Sequence, residues 1–266
     1  MDALSKKSAV PAAPLLAASA VSVRAGAREL VHGLSAGFNA GEVIAILGRN
    51  GSGKTLTLHT LAGLREPAEG VIWLDGVAMP QMRRRALALR LGLLPQDLED
   101  AFVSTAIETV LIGRHPHLSL WQWESAQDER IAREALRAVD MEEFALRRSD
   151  TLSGGEQRRL AVAALLAQQP AIYLLDEPTN HLDPHHQLAV LTLFRGLADC
   201  GRTVITTLHD PTLAARFADR VLLLFGDGRW SLGPVATTLT AARHSELYFV
   251  PMIELGRDGR RVFVTA

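Results

Sequence analysis

The sequence has a single cysteine, Cys200, among 266 residues. One thiol excludes an internal disulfide framework and fits a reducing compartment. An excess of either charge is also lacking: 28 Lys and Arg against 29 Asp and Glu leave a net charge of −1. No global basic field therefore exists to hold DNA or an anionic membrane without specificity. Long hydrophobic runs are missing too. The richest apolar stretches, Leu160–Ala167 and Val221–Phe225, fall well short of the ~18 residues of a membrane span. No repeat of solenoid length and no sustained heptad pattern runs through the chain. Lys6 and Lys7 precede a stretch that Pro11 and Pro14 interrupt, without the apolar core of a signal peptide. Residues 1–17 are expected to be a flexible tail on a soluble intracellular protein.

What is present suffices for a substantial core: 48% of residues are hydrophobic, enough for one large domain or two small ones. Alternating apolar patterns at Ala20–Val23 and Leu30–Phe38 predict strands, with Gly26 and Gly33 as breaks. The compact run Glu42–Leu47 predicts a buried strand, Thr55–Leu64 a helix, and Val71–Leu74 a strand ending in a hairpin-type turn at Asp75-Gly76. From about Ser104 to Ala167 the pattern turns helical. Ser125 and Asp128 form a capping-box pair ahead of an apolar face of Ile131, Ala135, Leu136 and Val139. Beyond Pro170, strands at Ala171–Leu175 and Thr203–Leu208 alternate with helices at His186–Leu197 and Thr212–Phe217. That alternation implies a mainly parallel α/β sheet into which the helical middle is inserted.

Gly48-Arg49-Asn50-Gly51-Ser52-Gly53-Lys54-Thr55 fits G-x-x-x-x-G-K-[ST] between a predicted strand and a predicted helix. In such a loop, glycines let successive N–H groups turn toward phosphate oxygens, and the helix N-terminus adds partial positive charge. Lys54 supplies a point charge for the β- and γ-phosphates, and Thr55 a hydroxyl for Mg²⁺. Ala171–Leu175 then leads into Asp176 and Glu177, at the strand end where parallel sheets bind ligands. Alone, two acids after a strand read as a solvated loop. Beside a phosphate loop, Asp176 suits hydrated Mg²⁺ and Glu177 suits the attacking water. Leu152-Ser153-Gly154-Gly155-Glu156-Gln157 pairs Ser153 with Glu156 as a capping box. Helix capping alone does not require two glycines in a first turn, whereas close approach of a phosphate does.

These pieces, in this order, resemble the nucleotide-binding subunit of ABC transporters. The resemblance covers about residues 20–225: the phosphate loop at 48–55, Gln96 in Leu93-Leu94-Pro95-Gln96, the signature at 152–156, the acidic strand at 171–177, Asn180-His181-Leu182-Asp183 as the D-loop, and His209 after a strand. It implies a P-loop ATPase core with an N-terminal antiparallel β part. An ATPase domain at 18–250 would carry a helical subdomain at about 97–168, and 251–266 would form a C-terminal β-hairpin around Asp258-Gly259. It implies a head-to-tail homodimer holding two ATP and Mg²⁺, each nucleotide between one phosphate loop and the other subunit's Ser153, Gly154, Gly155 and Glu156. Thr55, Gln96 and Asp176 would meet the metal, Asp183 would communicate across the dimer, and His209 would hold the water with Glu177.

A weaker likeness singles out the ATPases of metal-chelate importers for siderophores, haem or cobalamin, carried by Gly113-Arg114-His115-Pro116-His117, Trp121, Trp123 and His181-Leu182-Asp183. It implies a separate many-span permease docking on the helical insertion, an extracytoplasmic substrate-binding protein, and a peripheral place on the cytoplasmic face of the inner membrane. The alternative, a soluble ABC ATPase acting on nucleic acid or ribosomes, is disfavoured by one cassette per chain, the compact insertion, and no aromatic residue beside Arg83-Arg84-Arg85. The pairs His115/His117 and His185/His186 read as surface residues rather than a metal site. One departure stands out. Ala25 occupies the place where these ATPases usually carry an aromatic ring against adenine, so weak base discrimination is expected, with Arg24 or Arg28 as substitutes for the ring.

Overall fold

The computed structural model describes residues 14–97, 104–119, 121–257 and 260–266. Most of the expected tail and the expected turn at Asp258-Gly259 lie outside the described residues. The chain opens with β1 (Leu16–Ala25) and β2 (Arg28–Phe38), followed by β3 (Val43–Leu47) and α1 (Lys54–Leu61). Next come β4 (Glu69–Leu74), β5 (Val77–Ala78), α2 (Arg84–Arg90) and β6 (Leu91–Leu94). The helical middle holds α3 (Ala106–Ile112), α4 (Ala126–Arg137) and α5 (Gly154–Gln168). The alternation resumes with β7 (Ile172–Leu175), α6 (Pro184–Asp199), β8 (Thr203–Thr207), α7 (Pro211–Phe217) and β9 (Arg220–Leu224). It ends in β10 (Trp230–Pro234), α8 (Val235–Thr238), α9 (Ala241–Tyr248), β11 (Met252–Arg257) and β12 (Arg260–Thr265).

Six strands form the central sheet in the order β10-β9-β3-β8-β7-β6, parallel from β9 to β6. Every residue of β3 is buried, and its two faces serve different cores. Ile44 and Ile46 pack toward the antiparallel sheet β2-β1-β4-β5, while Ala45 and Leu47 pack toward α7 and the C-terminal elements. This is why Glu42–Leu47 reads as continuous apolar sequence: a strand covered on both faces needs no polar alternation. Tyr173 and Leu175 of β7 face a third core built with α3, α4, α5 and α6.

Two expectations change in detail. Leu16 and Ala17, expected in the flexible tail, begin β1, and Leu16 is fully buried. Gly33 does not end a strand but lies within β2 at φ +61. The register moves from Val21↔Leu34 to Val23↔Val31 there, a bulge whose positive φ suits glycine. In the basic triplet, exposed Arg84 and Arg85 donate to the carbonyls of Gly63 and Pro116, tying α2 to neighbouring turns. In α4 the capping box forms as expected. Ser125 Oγ and its backbone N–H hold the Asp128 carboxylate, which also pairs with buried Arg114 at 2.9 Å. These hydrogen bonds, and then the guanidinium, hold Asp128 down at about 2.

Candidate active site

Four parallel strands end on one edge of the sheet, and each delivers a polar segment there: β3 the loop 48–53, β6 Pro95-Gln96, β7 Asp176-Glu177, β8 Leu208-His209. Gly51 and Gly53 adopt φ of +74 and +99, a region that disfavours L side chains. Gly48 has no room for one, since a Cβ would meet Ser52 Oγ at 2.4 Å and the Leu224 carbonyl at 2.6 Å. No side chain caps α1, so its first amide groups remain available to an anion. Lys54, buried at its start, donates from Nζ to the Gly48 carbonyl at 2.9 Å. Burial lowers its pKa, opposed by the carboxylates of Glu177 and Asp176.

At the end of β7, Asp176 is fully buried. Its Oδ1 accepts from Thr207 Oγ1 at 2.7 Å, while Oδ2 has no partner among the described residues. Glu177 sits at φ +49, and its N–H donates to the same Thr207 hydroxyl at 2.8 Å. A left-handed backbone at a non-glycine residue is uncommon and clusters at functional sites. The Glu177 carboxylate is gripped at both oxygens: Oε1 lies 2.5 Å from His209 Nε2, and Oε2 accepts from Asn180 Nδ2 at 2.5 Å.

A cavity of about 460 Å³ joins these groups. Asn50, Gly51, Gly53, Lys54 and Thr55 line it with Gln96, Glu177 and His209, and its remaining walls are Ala25, Arg28, Leu30 and Leu56. Several expected residues lie elsewhere. Gly48, Arg49 and Ser52 shape the loop without lining the cavity, and Asp176, expected to meet the metal, is buried behind Glu177 rather than on the cavity wall. Arg49 turns toward the Phe225 carbonyl and stacks over the Phe249 ring, 3.9 Å from its centroid. Ser153 caps α5 with Glu156 in the expected reciprocal pair, but residues 153–156 are not part of this cavity. They lie against the D-loop of the same chain, where a Cβ on Gly155 would come within 3.2 Å of the His181 carbonyl. Asp183 caps α6 through the His186 N–H and pairs with that imidazole at 2.8 Å. His117 Nε2 meets the Gln168 carbonyl at 2.8 Å.

Sequence reasoning missed Arg158. It is 1% exposed, and its guanidinium donates to the carbonyls of Pro95, Gln96, Asp176, Glu177 and Pro178. One side chain on the signature helix thus holds the segments after β6 and β7 together. Burial lowers its pKa to about 10. The available signal was helical phase: Arg158, Val162 and Leu165 share the buried stripe of α5.

Behind the Gln96 segment lies a second, mostly apolar groove of about 540 Å³, lined by Leu93, Pro95, Ile112, Pro116, Ala161 and Leu165 among others. Trp121 and Trp123 stand in solvent, 93% and 86% exposed. Among the described residues no helix is long and apolar enough to cross a membrane.

Residues 31–180 match the family model described as ABC transporter. The chain belongs to the ABC transporter family. It is the ATP-binding, ATP-hydrolysing component, an ABC ATPase with the α/β fold of that family. Among its relatives, the hemin import ATP-binding protein of Streptomyces coelicolor is 39% identical over 247 residues, covering 91% of this chain and 87% of the relative. The protein of the same description from Pseudomonas fluorescens is 40% identical over 222 residues, covering 82% and 86%. The fold matches a structure described as an inward-facing metal-chelate type ABC transporter with a TM-score of 0.82, 27% identity, and coverage of 95% and 97%. A dimeric ATP-binding cassette in a post-hydrolysis state with ADP and phosphate matches at a TM-score of 0.72 and 27% identity, covering 83% and 98%. In this ABC ATPase, Lys54 and Thr55 of the glycine-rich loop share one cavity with Glu177 and His209, while Asn180 holds Glu177 from outside its lining.

Proposed function

We propose that this ABC ATPase energises the import of haem or a related iron chelate, working as a homodimer beneath a separate many-span permease. The hydrolytic part of the reading rests on one observation: Glu177, held by His209 and Asn180, opens onto the cavity that also contains Lys54. A carboxylate fixed at both oxygens at the phosphate end suits a general base for water, with His209 keeping its orientation. Mg²⁺ fits the residues present. Among the described residues Asp176 Oδ2 is a buried acceptor without a partner, next in sequence to Glu177, which lines the cavity, and the Thr55 hydroxyl and Gln96 amide supply neutral oxygens on the cavity wall. When bound, the ion supplies charge neutralisation for the phosphate oxygens.

The signature turn supports the homodimer, since Ser153 and Gly154 are exposed and so accessible to a nucleotide held by a second copy, although Ser153 also caps α5 in this chain. The apolar groove behind Gln96 suits a cytoplasmic segment of the permease and supports a peripheral position of the chain on the inner face of the membrane. An extracytoplasmic binding protein would deliver the chelate. The names of the relatives support haem as cargo.

A mixing experiment tests the shared site. Ser153→Arg and Lys54→Ala homodimers should each be nearly inactive. Their mixture should regain part of the wild-type turnover, because one mixed site receives both an intact phosphate loop and an intact signature. A mixture as inactive as its components would overturn the shared-site reading. For cargo, a strain lacking the chain should fail to grow on haem as its iron source; normal growth would exclude haem.

A further inference from the structure

The cavity divides by chemistry. Its glycine loop, Lys54 and Thr55 account for phosphates, and Gln96, Glu177 and His209 for the hydrolytic end. The walls left to meet ribose and base are Ala25, Arg28, Leu30 and Leu56. None of these four carries an aromatic ring, and none carries a carboxylate or amide with which to read the edge of a purine. One carries a flat, delocalised group: Arg28.

Two guanidiniums stand near the β1–β2 turn, and their surroundings differ. Arg24 is bound to Glu29 at 3.2 Å and to Glu69 at 2.9 Å, and it does not line the cavity. Arg28 lines it. Among the described residues Arg28 meets one acceptor, the Gly226 carbonyl, 2.7 Å from Nη2. Gly226 itself packs against the phosphate loop: a Cβ built on it would lie 3.1 Å from Ser52 Cα and 3.5 Å from Arg28 Nη2. The anchor therefore fixes one edge of the guanidinium beside the loop and leaves its plane and remaining donors free. Ala25 contributes only a methyl group, so no side chain there competes for the space above that plane.

Resting on the reading of this cavity as a nucleotide site, we infer that Arg28 is the platform for the nucleobase and that the site does not discriminate adenine from guanine. A guanidinium stacks on any flat π-system, and stacking without edge contacts is tolerant of base identity. The substrate class is then purine nucleoside triphosphates, with affinity set by phosphate contacts and a base-blind stack.

Calorimetric titrations of ATP, GTP and inorganic tripolyphosphate against wild type, Arg28→Ala and Arg28→Lys test this. Wild type should bind ATP and GTP within about threefold of each other. Arg28→Ala should weaken both by about tenfold, the scale of one stacked base, and leave tripolyphosphate unchanged. Arg28→Lys, which keeps the charge but loses the plane, should behave as Arg28→Ala does. The inference is overturned by an equal loss for tripolyphosphate, which makes Arg28 a phosphate contact. Full retention in Arg28→Lys overturns it as well, as do unchanged affinities in Arg28→Ala or a wild-type preference for ATP beyond about tenfold. A wild type that binds none of the three ligands would instead sink the reading of the cavity itself. Thermal melts of each variant without ligand separate a base effect from a folding defect.

Discussion

Around the phosphate loop and inside the C-terminal extension, the molecule buries polar atoms that no group among the described residues satisfies, and the two cases mean different things. Near the loop they include Arg49 Nε, Ser52 Oγ, Thr57 Oγ1 and Asp176 Oδ2. In the extension they are both ring nitrogens of His244 and the Tyr248 hydroxyl. Asp176 does not itself line the open cavity, but it directly precedes Glu177, which lines it with Lys54, Thr55 and Gln96. His244 is enclosed by rings instead, stacked on Phe263 with centroids 5.0 Å apart and beside Tyr248 at 5.3 Å. An unsatisfied polar atom signals a ligand where it adjoins a cavity of complementary groups. Sealed behind aromatic carbon, it is a loss of stability with no binding role.

Replacing Glu177 by Gln probes the first region most strongly. The amide accepts no proton from water, so turnover should fall by about 10²–10⁴-fold, while ATP binding persists and the ATP-bound dimer accumulates. Steady-state turnover near the wild-type rate would remove Glu177 from the chemistry.

Asp176→Asn tests the contrast more directly. The substitution retains the acceptor for Thr207 but removes a buried charge, so the ligand-free protein should melt at the same temperature or about 2 °C higher. The additional stabilisation by ATP with Mg²⁺ should disappear. A less stable ligand-free protein that still responds to Mg²⁺ would show that the carboxylate serves the fold, as the groups around His244 do.

Arg158→Met asks what holds the first region in place. Five carbonyls lose the guanidinium at once, that of Glu177 keeping a second donor in the Asn180 N–H, and several are buried, so stability should fall by about 3 kcal/mol or more in denaturant titration. Arg158→Lys should recover only part, because one ammonium cannot reach what the guanidinium fork reaches. A loss below about 1 kcal/mol would mean that the segments after β6 and β7 find other donors.

Which of these features could be read in advance follows from their sequence range. The phosphate loop, the acidic strand and the capping boxes at Ser125 and Ser153 are contiguous patterns whose geometry is fixed within one turn or one strand end. The buried strand β3 was legible for the same reason. Arg158 was not, because its partners lie 18–20 and 62–63 residues away and no local pattern marks them. The left-handed backbone of Glu177 and the Thr207 hydroxyl that serves both acids depend on the β7–β8 pairing, which only the assembled sheet supplies. Arg49 shows the converse. It sits inside a legible motif, yet its side chain is drawn to Phe249, some 200 residues later.

His244 provides the smallest and most diagnostic test of the comparison. Burial, and to a lesser degree Arg261, pushes its pKa down to about 4, below the ordinary value of about 6.5. The unfolded chain therefore binds a proton at higher pH than the folded one. The stability associated with the neutral imidazole is fully present above pH ~6.5 and is lost as pH falls toward ~4, by on the order of 2–3 kcal/mol. His244→Phe keeps a ring against Phe263, removes both unsatisfied nitrogens, and cannot be protonated. It should raise the melting temperature slightly at pH 7.5 and more at pH 5, leaving a flatter acid limb than wild type. ATP affinity should not change, because nothing in the nucleotide cavity touches this ring. If the acid limb of the variant parallels that of wild type, His244 is protonated or hydrated in the folded protein. Its nitrogens would then be partnered after all, and the distinction between a waiting site and a sealed one would fail at this residue.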